Sequence, residues 1–257
     1  MRRLLISLAA LGLTVGLMGC GKIKVTPTVG AEPGADPLYW SAPVTTEVMQ
    51  AGPRIVLVGK ARPGATIRLA TPHGRAAEGV VASDGSWRLS IPAAGQDGLF
   101  ALSAKVAERT VQSEGYLFIS ANGLAAQLRA GGGALRLGPS GPASGVTAFD
   151  FDRAGGAVVS GRGPAGGAIS ARLDGRKVGE GRIDKHGRFA LPFPEPLTPG
   201  SHSLKVFGEA VEAVLTIDAS RAETMTGGPI RVRPVSAGVR IDWITPGGGV
   251  QTTILVS

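Results

Sequence analysis

Three histidines, His73, His186 and His202, carry the side chains best suited to acid–base or metal chemistry in this chain of 257 residues. No two of them have the spacing of zinc ligands, and the single cysteine, Cys20, is distant from all three. The sequence has no Gly-x-Ser-x-Gly nucleophile elbow and no Ser/His/Asp set that its spacing ties together. We therefore expect a protein that is not an enzyme, has no metal site and needs no cofactor.

One glycine pattern resembles a phosphate-binding loop. The residues from Gly161 to Gly166 read G-x-G-x-x-G and follow an apolar run. A dinucleotide-binding loop must open a helix, so that the helix N-terminus can meet the phosphates. Here Pro164 and Gly166-Gly167 lead into another strand-like run. The pattern therefore predicts a turn between two strands and no nucleotide site.

Two aspartates, Asp150 and Asp152, flank Phe151 in a strand-like run. They could contribute to a calcium site, but calcium loops usually supply more oxygen ligands, with an ordering glycine at fixed spacing. Residues two apart on a strand share one face. We therefore expect both aspartates to face solvent.

A long internal repeat organises the chain. Residues 56–102 align with residues 158–204 at a constant offset of 102, without a gap. Trp87 aligns with Phe189, which predicts a core position for both, and His202 aligns with Phe100, which predicts a half-buried strand position. A period of this length indicates two tandem copies of one module.

Each module is predicted to be a β-sandwich. No window of the second copy has the 3.6-residue apolar period of a helix. Asp174-Gly175 separates two apolar runs and is typical of a hairpin turn, because both residues tolerate positive φ. Seven short strands in under a hundred residues favour a sandwich: Thr147–Asp152, Ala157–Ser160, Ala168–Leu173, Lys177–Ile183, Arg188–Phe193, Ser201–Phe207 and Ala213–Ile217.

The motifs of the second copy resemble those of bacterial Ig-like domains. They comprise a strand ending in Gly161, a turn at Gly166, the Asp174-Gly175 hairpin, and Leu197-Thr-Pro-Gly200 before a late strand. The first copy departs from the pattern at Thr71-Pro-His-Gly74. The resemblance covers the two modules and neither end of the chain. It implies tandem Ig-like sandwiches, which serve as spacers, adhesins and binding modules alike.

The N-terminus has the features of an export signal. Arg2-Arg3 precede the apolar run from Leu4 to Leu17, which is short for a membrane span. The sequence Leu17-Met18-Gly19-Cys20 resembles the lipobox of bacterial lipoproteins, although Met18 is a less usual occupant of its position. The resemblance implies a lipid such as palmitate on Cys20, and Gly21 after it implies sorting to the outer membrane. An ordinary secretory signal peptide is the alternative.

Composition divides the chain into six parts. Leu38-Tyr39-Trp40 either caps the first sandwich or forms an exposed aromatic contact, with capping favoured. The C-terminal part carries three strand-like runs, read as a β-hairpin on the second module. If the hairpin were open, its last strand, from Thr253 to Val256, would be an edge for pairing, but packing in the core is favoured. The parts are a signal peptide (1–19), a lipidated cysteine and tether (20–43), module 1 (44–121), a Gly/Pro-rich connection (122–145), module 2 (146–220) and a C-terminal β-hairpin extension (221–257).

Charge excludes one class of partner. The chain has a formal net charge of +8, and its Lys and Arg residues are scattered without a dense basic run. The composition therefore does not indicate nucleic acid. It fits a solvated surface or loose attraction to anionic polymers.

Taken together, these features predict an outer-membrane-anchored lipoprotein that is a non-enzymatic envelope scaffold with a protein partner, facing the periplasm or the cell surface. The alternative is binding of peptidoglycan or another polysaccharide. Three Trp and two Tyr residues in the whole chain leave little for the aromatic platforms usual in carbohydrate sites.

Overall fold

The structure is a computed structural model that describes residues 40–93, 95–138 and 144–257. These residues form twenty β-strands and no helix, so the described part of the chain has no helix that could cross a membrane. The all-β fold with two tandem sandwiches is confirmed. The lipobox residues Leu17, Met18 and Gly19, together with Cys20, lie outside the described residues, so the lipoprotein signal stays a prediction.

The first sandwich packs a three-stranded sheet, in the order β1-β2-β5, against a seven-stranded sheet. The larger sheet runs β10-β9-β8-β6-β3-β4, with β7 paired to β6. Both sheets bury alternate side chains, as a period of two requires, among them Leu57, Ile67 and Trp87. The strands are β1 (Val44–Ala51), β2 (Arg54–Lys60), β3 (Thr66–Ala70), β4 (Ala76–Val80), β5 (Ser86–Pro92), β6 (Gly98–Val106), β7 (Arg109–Gln112), β8 (Tyr116–Ile119), β9 (Ala125–Leu128) and β10 (Leu135–Leu137).

The second sandwich repeats this plan, and all seven strands expected from its pattern are present. A four-stranded sheet, β14-β13-β16-β17, packs against a six-stranded sheet, β15-β12-β11-β20-β19-β18. Asp174 and Gly175 join β13 to β14 with φ of 50° and 81°, which confirms the hairpin turn. The strands are β11 (Gly145–Asp152), β12 (Ala157–Arg162), β13 (Ala168–Leu173), β14 (Arg176–Arg182), β15 (Arg188–Pro192), β16 (Ser201–Gly208), β17 (Val211–Asp218), β18 (Ile230–Val235), β19 (Gly238–Ile244) and β20 (Val250–Val256).

The repeat is visible in the two cores. Trp87 and Phe189 are both buried, as their alignment predicts. Each ring crosses over a glycine of the neighbouring strand. A Cβ at Gly59 would lie 2.4 Å from the Trp87 ring, and a Cβ at Gly161 would lie 2.5 Å from the Phe189 ring. These two glycines are therefore required by the close approach of an aromatic side chain.

The C-terminal extension contains three strands, β18, β19 and β20, at the three strand-like runs of the sequence. The last strand is not left open as a pairing edge, and the favoured alternative, packing in the core, is confirmed. β20 lies inside the six-stranded sheet, because β11 pairs with it on one side and β19 pairs with it on the other. Ile254 and Val256 contribute to the core of the second sandwich, and Leu255 contributes to a separate core on the opposite face.

That separate core joins the two modules. It contains Leu99, Phe118 and Leu128 from the first module and Ile241, Trp243 and Leu255 from the sheet of the second. The rings of Tyr116 and Trp243 meet edge to face, with centroids 6.2 Å apart. Two strands of this arrangement, β9 and β10, lie in residues 122–145, where composition alone indicates a connection. The modules therefore form one compact unit from Trp40 to Ser257.

Candidate functional site

The structure does not bring the three histidines together as a metal site. Among the described residues, no group of three or more His, Cys, Asp or Glu side chains is arranged to hold a metal ion. His73 and His186 are exposed, whereas His202 lies on β16 and is half-buried, as the repeat predicts. Its Nδ1 lies 2.7 Å from Asp174 Oδ2, and its Nε2 lies 2.8 Å from the Thr198 carbonyl oxygen.

The His202–Asp174 contact holds the turn of the β13–β14 hairpin in place. The bond to the Asp174 carboxylate raises the pKa of His202, and the same bond lowers the pKa of Asp174. Asp174 Oδ1 also accepts a hydrogen bond from the backbone N–H of Ser203. The pair therefore ties the β13–β14 turn to the start of β16, which accounts for these residues without catalysis.

The glycine pattern from Gly161 to Gly166 forms a turn between β12 and β13. Gly166 has a φ of +81°, which is the left-handed region that favours glycine. The turn leads into a strand, so no helix N-terminus faces it. The expectation of a strand–turn–strand segment at this place is confirmed.

The expectation that Asp150 and Asp152 both face solvent is wrong for Asp150. Asp152 is exposed and caps the β11–β12 turn, but Asp150 is 2% exposed. Its carboxylate accepts hydrogen bonds from the backbone N–H of Ala134, the Gln251 amide and the Thr253 hydroxyl. Asp150 thus joins β11 to β20 and to the segment that contains Ala134. The face of β11 that carries Asp150 has the pattern of a solvent-exposed face, but these residues cover it.

Burial raises the pKa of Asp150 to about 6, above the ordinary value near 3.8. Between about pH 4 and pH 6 the folded protein keeps a proton that the unfolded chain has released, so lowering the pH favours the folded state. We expect the free energy of unfolding, compared with that of Asp150→Asn, to rise by about 2 kcal/mol from pH 7 to pH 4. Urea unfolding of both proteins across this range measures the difference, and a difference independent of pH would contradict the buried titration.

A groove with a partly polar lining lies at the junction of the modules, and we call it the junction groove. It has a volume of about 600 Å³. Its walls are the start of β1, the segment from Arg129 to Leu137 with β10, and the ends of β12 and β15. The third core lies at the same junction, where it packs the first module against β11, β19 and β20.

Positive charge dominates this groove. Four arginines line it, Arg129, Arg136, Arg162 and Arg188, whereas Glu114 is the one acidic residue among its described lining residues. Two of the arginines are held by ion pairs, Arg129 at 3.6 Å from Glu114 and Arg188 at 3.4 Å from Asp184. Arg162 is exposed at the rim and donates only a long bond of 3.4 Å to the Arg136 carbonyl oxygen.

Three buried polar atoms of groove residues have no hydrogen-bond partner among the described residues. They are Thr45 Oγ1, Ser160 Oγ and Arg136 Nε. Arg136 uses another nitrogen to donate to the Val256 carbonyl oxygen, and burial lowers the pKa of its guanidinium below the ordinary value. Buried polar atoms are nearly always paired. Almost none of the surface of these three atoms is accessible, so they lie behind the surface of the groove as it stands.

A second cavity, of about 310 Å³, opens at one end of the first sandwich. It arises from a difference between the repeats. Where the second sandwich fills its end with Phe193 and Leu197, the aligned positions of the first hold Ile91 and Gly95. The cavity is therefore largely apolar, with Thr71 and Arg75 at its lining.

Trp40 lies against the first sandwich. The guanidinium of Arg62 is 4.7 Å from the centre of its ring and that of Arg109 is 5.7 Å away. Trp40 is half-buried in this position, which supports the capping alternative for this residue. Leu38 and Tyr39 lie outside the described residues.

Sequence reasoning missed the junction groove. Arg136 and Arg162 look like scattered surface charges, and Ser160 looks like an ordinary strand residue. The one available signal was the run Ala134-Leu135-Arg136-Leu137, whose pattern predicts a short edge strand. The structure places β10 there, at the end of its sheet. No local pattern indicates that this strand meets β12.

Three solved structures of β-domain proteins are similar to the chain at low sequence identity. No protein-family model and no curated protein matches it. The BSP domain of a biofilm-associated protein is 14% identical, with a TM-score of 0.25 over 71% of this chain and 30% of that chain. A Ca²⁺-stabilized adhesin with which an Antarctic bacterium binds ice is 12% identical, with a TM-score of 0.23 over 84% of this chain and 66% of that chain.

The central fibronectin-III array of RIM-binding protein is 10% identical, with a TM-score of 0.29 over 86% of this chain and 90% of that chain. The chain thus spans less than a third of the biofilm protein and about two thirds of the ice-binding adhesin. All three TM-scores are below 0.5, so these likenesses carry no argument about function.

Proposed function

We propose that this protein is a non-enzymatic envelope lipoprotein that presents two rigidly joined β-sandwiches to a protein partner. The observation that carries the proposal is the third core, in which Phe118 and Leu128 of one module meet Trp243 and Leu255 of the other. Independent modules on a flexible linker bury no such core between them. A rigid pair keeps loops and grooves of both modules at constant relative positions, which suits a scaffold.

The proposed mechanism has three parts. A lipid on Cys20 holds the protein at the outer membrane, facing the periplasm or the cell surface. The residues from Cys20 to Tyr39 act as a tether that sets the reach of the folded unit, which begins at Trp40. The folded unit then offers the junction groove and the cavity of the first sandwich to its partner.

Replacement of the cysteine tests the anchoring. We expect Cys20→Ser to move the protein from the membrane fraction to the soluble fraction of the envelope, because Cys20 is the one thiol that could carry a thioether-linked lipid. Fractionation followed by mass spectrometry of the N-terminal peptide measures both location and lipid. A wild-type peptide without lipid would contradict the proposal. A matched control is Met18→Ala, which changes another residue of the lipobox and retains the thiol of Cys20.

A second candidate function is the binding of peptidoglycan or another polysaccharide. The four arginines that line the junction groove favour it, because they would attract the acidic groups of such a polymer. Co-sedimentation with purified peptidoglycan across a salt series tests it. Binding that persists at high salt supports a specific glycan site, whereas binding that fades with salt reflects only the positive charge of the protein.

A further inference from the structure

The cavity of the first sandwich takes up space that two side chains fill in the second. Phe193 and Leu197 have the smaller Ile91 and Gly95 as their counterparts at the offset of 102. A cavity beside Leu197 in the second sandwich has a volume of about 70 Å³, against about 310 Å³ in the first. An apolar group that enters such a space gains packing contacts that its lining otherwise lacks. The largest apolar side chains of that lining are Ile55, Leu69, Ile91, Phe100 and Ile119.

The cavity borders β4, which is an edge strand of its sheet and pairs with β3 alone. The carbonyl oxygen of Arg75 and the N–H of Val81 are both bonded toward the β3 side. Successive residues of an antiparallel pair alternate between facing the partner strand and facing away from it. The N–H and carbonyl groups of Ala76, Glu78 and Val80 therefore point away from β3, toward the open edge.

The edge of β4 lacks the charges that prevent another strand from pairing. Charged side chains commonly protect the edge strands of natural sheets. On β4 only Glu78 is charged, and the side chain of Val80 is 73% exposed. The aligned edge strand of the second sandwich, β14, carries four charged side chains: Arg176, Lys177, Glu180 and Arg182. Of these two edges, β4 is therefore the one suited to accept a further strand.

A strand added to β4 would carry one side chain to the cavity. Residues directly opposite each other in an antiparallel pair have their side chains on the same face. Ala77 is half-buried on the inner face, as is Gly79, where a Cβ would lie 2.8 Å from Leu89 Cδ2 of β5. The residue opposite Ala77 would therefore point between β4 and β5. Ala76 of β4 and Ser90 of β5 line the cavity and are exposed, so the cavity reaches the surface between these two edges.

We propose that β4 and the adjoining cavity form a docking site for an extended segment of a protein partner, which pairs antiparallel with β4 and inserts a Phe or Leu side chain into the cavity. Main-chain hydrogen bonds would supply affinity, and the cavity would select the inserted side chain. A second copy of β4 does not suit the cavity, because its inner residues, Ala77 and Gly79, are too small to fill it. That the partner is a protein rests on the proposed function.

Two synthetic peptides test the proposal. The Phe peptide has about seven residues, an ordinary strand length, with Thr at alternate positions, Val, Phe and Val between them, and a Lys added at each end. The Ala peptide has Ala in place of Phe. The full-length protein is held in lipid nanodiscs, because free detergent would enter an apolar cavity. By calorimetry we expect the Ala peptide to bind roughly 10- to 100-fold more weakly. Hydrogen exchange should slow at the amides of Ala76, Glu78 and Val80 when the Phe peptide binds.

Three variants locate the site. Glu78→Pro removes an N–H that points away from β3, so we expect it to fold and to weaken binding of the Phe peptide by roughly 10-fold. The matched control is Glu180→Pro, at the aligned position of β14, which should change the affinity by less than about 2-fold. Ile91→Phe introduces the residue that the second sandwich has at this position. It should fill the cavity, leave the unfolding midpoint unchanged or higher, and abolish the preference for the Phe peptide.

Three results would overturn the proposal: no binding of the Phe peptide, equal affinities for the two peptides, or equal losses in Glu78→Pro and Glu180→Pro. Binding of octanoate without binding of the Phe peptide would also overturn it and assign the cavity to a small apolar ligand. A dimer that Glu78→Pro dissociates would overturn it in favour of a second copy. None of these results depends on lipidation, so they leave the anchoring through Cys20 standing, and a soluble wild-type protein would overturn the anchoring alone.

Discussion

Trp243→Ala is expected to lower the free energy of unfolding by about 3–5 kcal/mol, the range for truncating a large aromatic side chain in a core. Trp243 is completely buried at the centre of the third core. Its ring meets Tyr116 edge to face, and its Nε1–H donates to Thr253 Oγ1 at 3.1 Å. The substitution removes this packing and leaves the Thr253 hydroxyl with one bond fewer.

The same substitution should also separate the unfolding of the two modules. The cores of the individual sandwiches do not include Trp243, so each sandwich keeps its own packing when the third core is weakened. Calorimetry should then resolve two thermal transitions in Trp243→Ala and one in the wild-type protein. The matched control is Trp40→Ala, at a half-buried tryptophan outside the three cores. A loss no greater than that of Trp40→Ala would contradict the structural role of the third core.

Arg240→Met is expected to lower the free energy of unfolding by a similar amount, about 3–5 kcal/mol, because it leaves a buried charge without its partner. Arg240 and Asp242 are 1% and 3% exposed, and Arg240 Nε donates to Asp242 Oδ1 at 2.9 Å. Arg240 also donates to the hydroxyl and the carbonyl oxygen of Ser220. The side chain thus ties the segment after β17 to the C-terminal strands.

The double variant Arg240→Met/Asp242→Leu separates the two causes of this loss. Replacing both charges with apolar side chains removes the unpaired carboxylate, so we expect the double variant to recover more than half of the stability lost in Arg240→Met. Arg231→Met is the matched control, because Arg231 pairs with the exposed Glu223 at 2.9 Å and should cost less than about 1 kcal/mol. Urea unfolding compares the four proteins. Equal losses in Arg231→Met and Arg240→Met would show that burial of the pair is unimportant.

The sequence was sufficient for the elements of the fold. Strands alternate their side chains between two faces, so the apolar runs of module 2 predict seven strands and all seven are present. The offset of 102 residues correctly predicts that Trp87 and Phe189 are core residues and that His202 is half-buried. The Asp174-Gly175 hairpin also follows from local chemistry, because only a few residues accept positive φ.

The sequence was not sufficient to predict which residues cover each face of a strand. Asp150 sits on a strand face that is polar in pattern, yet its partners Gln251 and Thr253 come from strand β20, 101 and 103 residues further along the chain. The last strand, from Val250 to Val256, has the pattern of an edge or of a central strand alike, and its pairing with β11 decides between them. A local pattern carries no information about such distant partners.

The sequence by itself thus determined the fold class, the repeat, the turns and the expectation of a lipid on Cys20, since each depends on residues close together in the chain or at one constant offset. Only the tertiary structure decided that the modules share a core, that Asp150 and Arg240 are buried, and that Thr45, Arg136 and Ser160 line one groove. Each of these depends on the docking of one sheet on another. The free energy of that docking comes from burying side chains such as Leu128 and Trp243 across the junction, and no short segment of sequence contains both sides of it.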